Sequence, residues 1–202
     1  FSMFQNGMVC ELDFYILEQV CMDISRWLKE GIEPVRISVN FSRKHLTNHN
    51  LAEDIMQVLR KYNVDSKYIE IELTETVDEE EAGLLIDFMN KMRKYNILMT
   101  IDDFGTGYSS LNMLKDVEVD TVKIDKCFVD DIGNNQKVER IIATIISLVR
   151  SLNMHVVAEG VENEMQYKFL HLVECDEIQG YYFSKPISGK EYEMLLEKEV
   201  GC

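Results

Sequence analysis

Segments of helical period and segments of strand period alternate along this chain with little between them, and that alternation restricts the fold more than any single motif does. A leading helix is expected from about Leu12 to Glu30, with Leu12, Ile16, Val20, Ile24 and Leu28 at four-residue spacing on one apolar stripe. Gly31 and Pro34 stop it. A strand over Val35–Asn40 leads to a helix near Leu51–Lys61, which Asn50 caps and which buries Leu51, Ile55 and Leu59. The pattern then repeats. Strands are expected at Tyr68–Leu73, Ile97–Ile101, Thr121–Ile124, His155–Ala158 and Glu177–Gly180. Helices are expected at Glu79–Tyr95, Leu111–Lys115, Gln136–Leu152, Glu162–Leu172 and Gly189–Lys198.

Six strand-helix units behind one leading helix imply a parallel sheet with its helices outside, either doubly wound or a barrel. The strand ends decide between these. Asn40, Glu72, Asp102 with Asp103, Lys123, Glu159 and Gln179 stand where successive strands stop. Chemistry drawn from the C-terminal ends of many strands marks a TIM-type (β/α) barrel, whereas a doubly wound sheet gathers its site at one switch point. A complete barrel has eight strands and typically ~250 residues. Six strands in 202 residues leave about two missing. The leading helix puts them ahead of Phe1, and the opening Phe1-Ser2-Met3 is neither a secretion signal nor an ordinary chain start. The expectation is therefore a single domain over residues 1–202, an incomplete barrel lacking its first two strands, with open sheet edges that favour association.

Composition narrows the partners. Thirty-six acidic side chains against 21 basic ones give a net charge of -15. That argues against binding a DNA or RNA duplex, which needs a basic stripe. A phosphorylated ligand stays open, because bound metal ions can reverse the local sign of charge. The longest apolar-rich stretch, Ile141–Val149, falls far short of the ~20 residues a membrane span needs, so no membrane contact is expected. Cys10, Cys21, Cys127, Cys175 and Cys202 are widely spaced and form no C-x-x-C pair, which reads as reduced thiols in a cytoplasmic protein.

Glu72, Asp102, Asp103 and Glu159 would converge with the amide of Asn40 on one face, where unpaired carboxylates repel one another. Hard divalent cations relieve that repulsion. An oxygen-only donor set suits Mg²⁺ or Mn²⁺ rather than zinc, since His45, His49, His155 and His171 all lie away from the strand ends. Adjacent Asp102 and Asp103 let one carboxylate bridge two metals while its neighbour holds the second, and two such ions can activate a water against a phosphodiester. Lys123 could orient that water or offset charge developing on phosphate. Plainer alternatives stand beside these. A lone strand-end Glu is as a rule solvated or ion-paired, and Lys123 and Asp125, two residues apart on one face, could pair with each other. Tyr108 and the two serines after it could simply turn the chain. Placement on five strands together favours the site.

The strand ends also match motifs of the bacterial EAL domain family of cyclic di-GMP phosphodiesterases. Ser38-Val39-Asn40 resembles its S-V-N, Glu72-Leu73-Thr74-Glu75 its E-L-T-E, and the segment from Asp102 to Leu111 its D-D-F-G-x-G-x-S-S-L loop. Lys123-Ile124-Asp125 is similar to K-I-D, Val157 to Glu162 to V-A-E-G-V-E, and Gln179 to Pro186 to Q-G-Y-x-F-S-K-P. The matches are collinear from about Leu12 to Ile187. The resemblance implies a barrel that hydrolyses cyclic di-GMP to the linear dinucleotide pGpG with Mg²⁺ or Mn²⁺ at a two-metal site. Asn40, Glu72 and Asp102 then correspond to ligands of the first metal, and Asp102, Asp103 and Glu159 to those of the second. Lys123 and Gln179 would position the attacking water, and Glu75 would anchor the loop from Asp103 to Ser110, which couples the metals to a dimer interface. A homodimer and an upstream regulatory domain are implied as well. One departure counts against activity. The E-A-L tripeptide, whose Glu is a first-metal ligand in the family, is absent from these residues. It would lie on a strand ahead of Phe1, so these residues alone are expected to be weak or inactive while the full-length protein hydrolyses cyclic di-GMP. The alternative, an inactive module that binds cyclic di-GMP or a protein partner, gains weight if the residues upstream lack that Glu.

Overall fold

The computed structural model describes residues 8–74, 79–105, 114 and 119–199. Its helices are α1 (Met8–Glu30), α2 (Leu51–Tyr62), α3 (Glu79–Lys94), α4 (Lys126–Val129), α5 (Gln136–Ser151), α6 (Glu164–Leu172) and α7 (Gly189–Glu199). Its strands are β1 (Ile37–Asn40), β2 (Ile69–Thr74), β3 (Leu98–Phe104), β4 (Thr121–Ile124), β5 (His155–Ala158) and β6 (Glu177–Ile178). The sheet order is β1-β2-β3-β4-β5-β6, and every described pairing is parallel. This is the α/β architecture of TIM-barrel type that the alternation predicts. Strands in such a sheet are covered on both faces, and all four residues of β4 are accordingly buried. Left-handed residues turn the chain after several helices: Gly31 after α1, Asn63 after α2, Asn96 after α3 and Asn153 after α5.

By contacts the chain divides into two compact units. In the first, α1 packs on β1 and α2, and α2 on α3. Leu17, Cys21 and Ile24 of α1, Ile55 and Leu59 of α2, and Ile69 and Ile71 of β2 are fully enclosed there. The second holds β3 from Thr100 onward, β4, α5, β5, α6 and β6. Val122, Ile124, Ile142, Val149, Val156, Ala158 and Leu170 form its core. Each such aliphatic side chain of Val or larger contributes about 1.5–3 kcal/mol relative to exposure.

Several expectations are corrected. Leu12 and Ile16 are exposed, and the buried face of α1 is Asp13, Leu17, Cys21, Ile24, Ser25 and Trp27. A strict four-residue spacing drifts about 40° per step on a helix of 3.6 residues per turn, so the Leu12–Leu28 stripe winds around α1 and meets the core only near Ile24. Mixed steps of four and three hold their phase. β3 runs on to Phe104 instead of stopping at Ile101, so both aspartates lie inside the strand. β6 is only two residues long, leaving Gln179 and Gly180 beyond its end. α6 starts at Glu164, two residues late, because Asn163 rather than an earlier residue caps it. Asn50 occupies the N-cap position of α2 without a side-chain bond, and its own N–H donates to Asn48 Oδ1 at 3.0 Å. Glu75, Tyr108, the serines after it and most of the expected Leu111–Lys115 helix lie outside the described residues.

Candidate active site

In the first unit, Asn40 and Glu72 end the β1–β2 pairing as register partners. The Phe41 N–H donates to the Glu72 carbonyl at 2.9 Å, which carries the ladder one residue past Asn40. Asn40 is exposed and Glu72 is buried.

In the second unit the sheet departs from regular register. Ile101 pairs with Val122 and Phe104 with Ile124, so three steps on β3 face two on β4. The extra residue is a bulge at Asp102-Asp103, with Asp103 in the left-handed region at φ 56°. Regular pleating would send adjacent side chains to opposite faces of the sheet. Here Asp102 Oδ1 lies 3.4 Å from Lys123 Nζ, while the Asp103 carboxyl hydrogen-bonds to that of Asp125. Asp102 thus reaches a residue within β4, and Asp103 the residue just past its end. Asp102 Oδ1 also accepts the Asp103 N–H at 3.0 Å.

Lys123 is 7% exposed, and its Nζ lies 2.6 Å from Glu159 Oε1. The ammonium thus bridges carboxylates from β3 and from the end of β5. Glu159 is set by its own N–H donating to the Ile124 carbonyl at 3.1 Å. Asp125 accepts the Cys127 N–H at 2.8 Å and caps α4. Burial raises the Asp103 carboxyl above its usual range, and the charges of Asp102 and then Asp125 push the same way. For Asp125, burial acts upward, but the hydrogen bonds from Cys127, Asp103 and the Lys126 backbone outweigh it and hold that carboxyl low.

Gln179 is placed through its backbone. Its N–H donates to the Ala158 carbonyl at 2.8 Å, and its carbonyl accepts the Val161 N–H at 3.0 Å. Its side chain is exposed, and no described hydrogen bond joins it to Lys123. Gly180 follows because a side chain there would meet backbone: a Cβ would sit 2.2 Å from the Val161 carbonyl oxygen. Thiol chemistry is remote from this site's behaviour. Burial pushes Cys21 and Cys175 up to about 12 and Cys127 up to about 11, so all three stay protonated at neutral pH.

Among the described residues, no group of three or more His, Cys, Asp or Glu side chains is already arranged as a metal cage. The donor chemistry nonetheless suits a divalent cation. Asp102, Asp103 and Glu159 offer only oxygen, and burial first, then the charges of Asp102 and Asp125, hold Asp103 against ionisation. A cation would relieve that crowding, as Lys123 relieves it in part. Sequence reasoning did not single out Asp13 and His45, which form a buried pair in the first unit, or Gln166 of α6, which binds backbone from two segments. A polar residue interrupting the apolar face of α1 was the available signal for Asp13.

The EAL domain family model matches residues 1–186. The signalling protein YkoW of Bacillus subtilis is 32% identical over 192 residues, 95% of this chain and 24% of YkoW. Cyclic di-GMP phosphodiesterase NbdA of Pseudomonas aeruginosa is 34% identical over 182 residues, 90% of this chain and 23% of NbdA. The chain thus spans about a quarter of the length of these relatives. Among solved structures, the EAL domain of Mycobacterium smegmatis DcpA superposes with a TM-score of 0.86 at 32% identity, over 94% of this chain and 86% of that one. The PaMucR phosphodiesterase, solved as a c-di-GMP complex, superposes with a TM-score of 0.85 at 28% identity, over 92% of this chain and 75% of that one.

Proposed function

The chain belongs to the EAL domain family, and from that premise we propose that it hydrolyses cyclic di-GMP to linear pGpG. The observation that carries the reading is the Lys123 ammonium held between Asp102 of β3 and Glu159 just past β5, in segments that resemble the family's motifs. Water attacks phosphorus, one P–O bond of the ring breaks, and the freed ribose oxygen takes a proton. Asp102, Asp103 and Glu159 would hold divalent cation, Mg²⁺ or Mn²⁺, and Asn40 and Glu72 keep the ligand roles their motifs imply. Bound there, the cations would supply an acidified water and stabilise the leaving oxygen. Lys123 sits buried with its protons directed at two carboxylates, so it can hold Glu159 in one orientation and present positive charge to phosphate. Gln179, fixed at its backbone, would orient the water's surroundings. Glu75, as loop anchor, completes the proposed set, together with a homodimer, a regulatory domain elsewhere in a longer protein, and a cytoplasmic setting. No helix among the described residues is long and apolar enough to cross a membrane.

The second reading is a module that binds cyclic di-GMP without cleaving it. One experiment separates the two. Purified protein is incubated with cyclic di-GMP and Mn²⁺ or Mg²⁺, and the nucleotides are separated by chromatography. Appearance of pGpG, lowered about 100-fold or more by Glu159→Ala, supports hydrolysis. Binding without product supports the second reading, and neither binding nor product rejects both.

A further inference from the structure

Asp13 and His45 have no part in the reading above, yet they converge on the chain directly after Asn40. Asp13, on the buried face of α1, is 8% exposed. Its Oδ2 takes two donors: the Ser42 N–H at 2.8 Å and the His45 ring at Nε2 at 3.0 Å. The His45 N–H in turn donates to the Ser42 carbonyl at 3.1 Å, closing the turn that carries the histidine back. Between these groups lies Phe41, 3% exposed, with its ring centroid 5.4 Å from Phe14 and 5.1 Å from His45. Both amides that follow Asn40 are therefore spoken for, Phe41 by the Glu72 carbonyl and Ser42 by Asp13.

A purely structural need at position 13 would be met as well by an apolar residue, which carries no desolvation cost. What an apolar residue could not do is hold the Ser42 amide. We infer that Asp13 and His45 are positioning residues, which fix the backbone leaving Asn40 and thereby the metal affinity of that strand end. The inference rests on the proposed role of Asn40 as a ligand.

The test measures Mn²⁺ binding by the whole chain, without nucleotide, from the electron paramagnetic resonance signal of the free ion. Circular dichroism checks the fold of each variant. His45→Leu removes the donor and should weaken Mn²⁺ binding about tenfold, while His45→Gln, whose amide still donates, should stay within about twofold of the unmodified chain. Val149→Ala, a core change in the second unit, lowers stability and should leave Mn²⁺ affinity unaltered. Unchanged affinity in His45→Leu, or an equal loss in Val149→Ala, overturns the inference while leaving the proposed function standing. Unchanged affinity in Asn40→Ala removes Asn40 from the ligand set, and the inference falls with it. If His45→Leu does not fold, Asp13→Asn decides by the same criterion, with an expected loss of about threefold.

Discussion

His45 sits against Asp13 with the edges of Phe14 and Phe41 around it, and that environment sets its charge. Burial lowers its pKa below the ordinary histidine value, and the hydrogen bond and charge of Asp13 oppose this without reversing it. The folded protein therefore holds a neutral ring, donating from Nε2, down to a lower pH than the unfolded chain does. Such a group contributes stability that is fully present above the unfolded value of about 6.5 and is lost as pH falls from there through the lower folded value. Urea midpoints measured between pH 7.5 and 5.5 should fall with pH, and His45→Gln should flatten the fall. An identical slope in His45→Gln would assign the effect to other groups. Asp103 shows the other side of residue-scale chemistry. An L-residue at φ 56° is uncommon, but a short polar side chain tolerates it, and here it turns an aspartate toward Asp125.

Elements meet at α6 through one side chain. Asn163 Oδ1 accepts the Gln166 N–H at 3.0 Å, and Gln166 Oε1 accepts the N–H groups of Asn163 at 3.2 Å and Glu162 at 2.7 Å. This reciprocal cap satisfies amides that a helix start leaves open. The same side chain reaches further, with Gln166 Nε2 donating to the Val129 carbonyl at the end of α4 at 3.1 Å. Gln166 is 4% exposed, so water cannot readily replace these partners. Gln166→Leu should cost about 2–3 kcal/mol in urea or thermal unfolding, because it strands buried N–H and C=O groups. A loss below about 0.5 kcal/mol would show that water or a backbone shift meets the same groups. The asparagine and the glutamine three residues on are a readable helix start, but the reach to Val129 depends on where α4 lies. The β3 bulge is likewise an element-scale fact, since register exists only once two strands pair.

For the whole molecule, the net charge of -15 is the dominant long-range term. Self-repulsion of that size opposes the compact state and is screened by salt. Raising NaCl from about 0.01 M to about 0.1 M shortens the Debye length from about 30 Å to about 10 Å. The thermal midpoint should rise over that range, and a midpoint that falls would mean that surface ion pairs outweigh net repulsion. What the sequence determined by itself is the order and kind of the elements and the polar residues at or near the strand ends. Apolar period, turn residues and motif spacing are local, so Asn40, Glu72, Asp102, Lys123 and Glu159 could be placed at or near strand ends before any pairing was known. Only the tertiary structure decided which of them meet. Lys123 bonds to Asp102 and Glu159, Asp103 turns to Asp125 through a bulge, and Asp13 is drawn to Ser42 and His45. Each of those partners is remote in sequence or depends on strand register, and buried charges choose partners by the proximity that packing imposes.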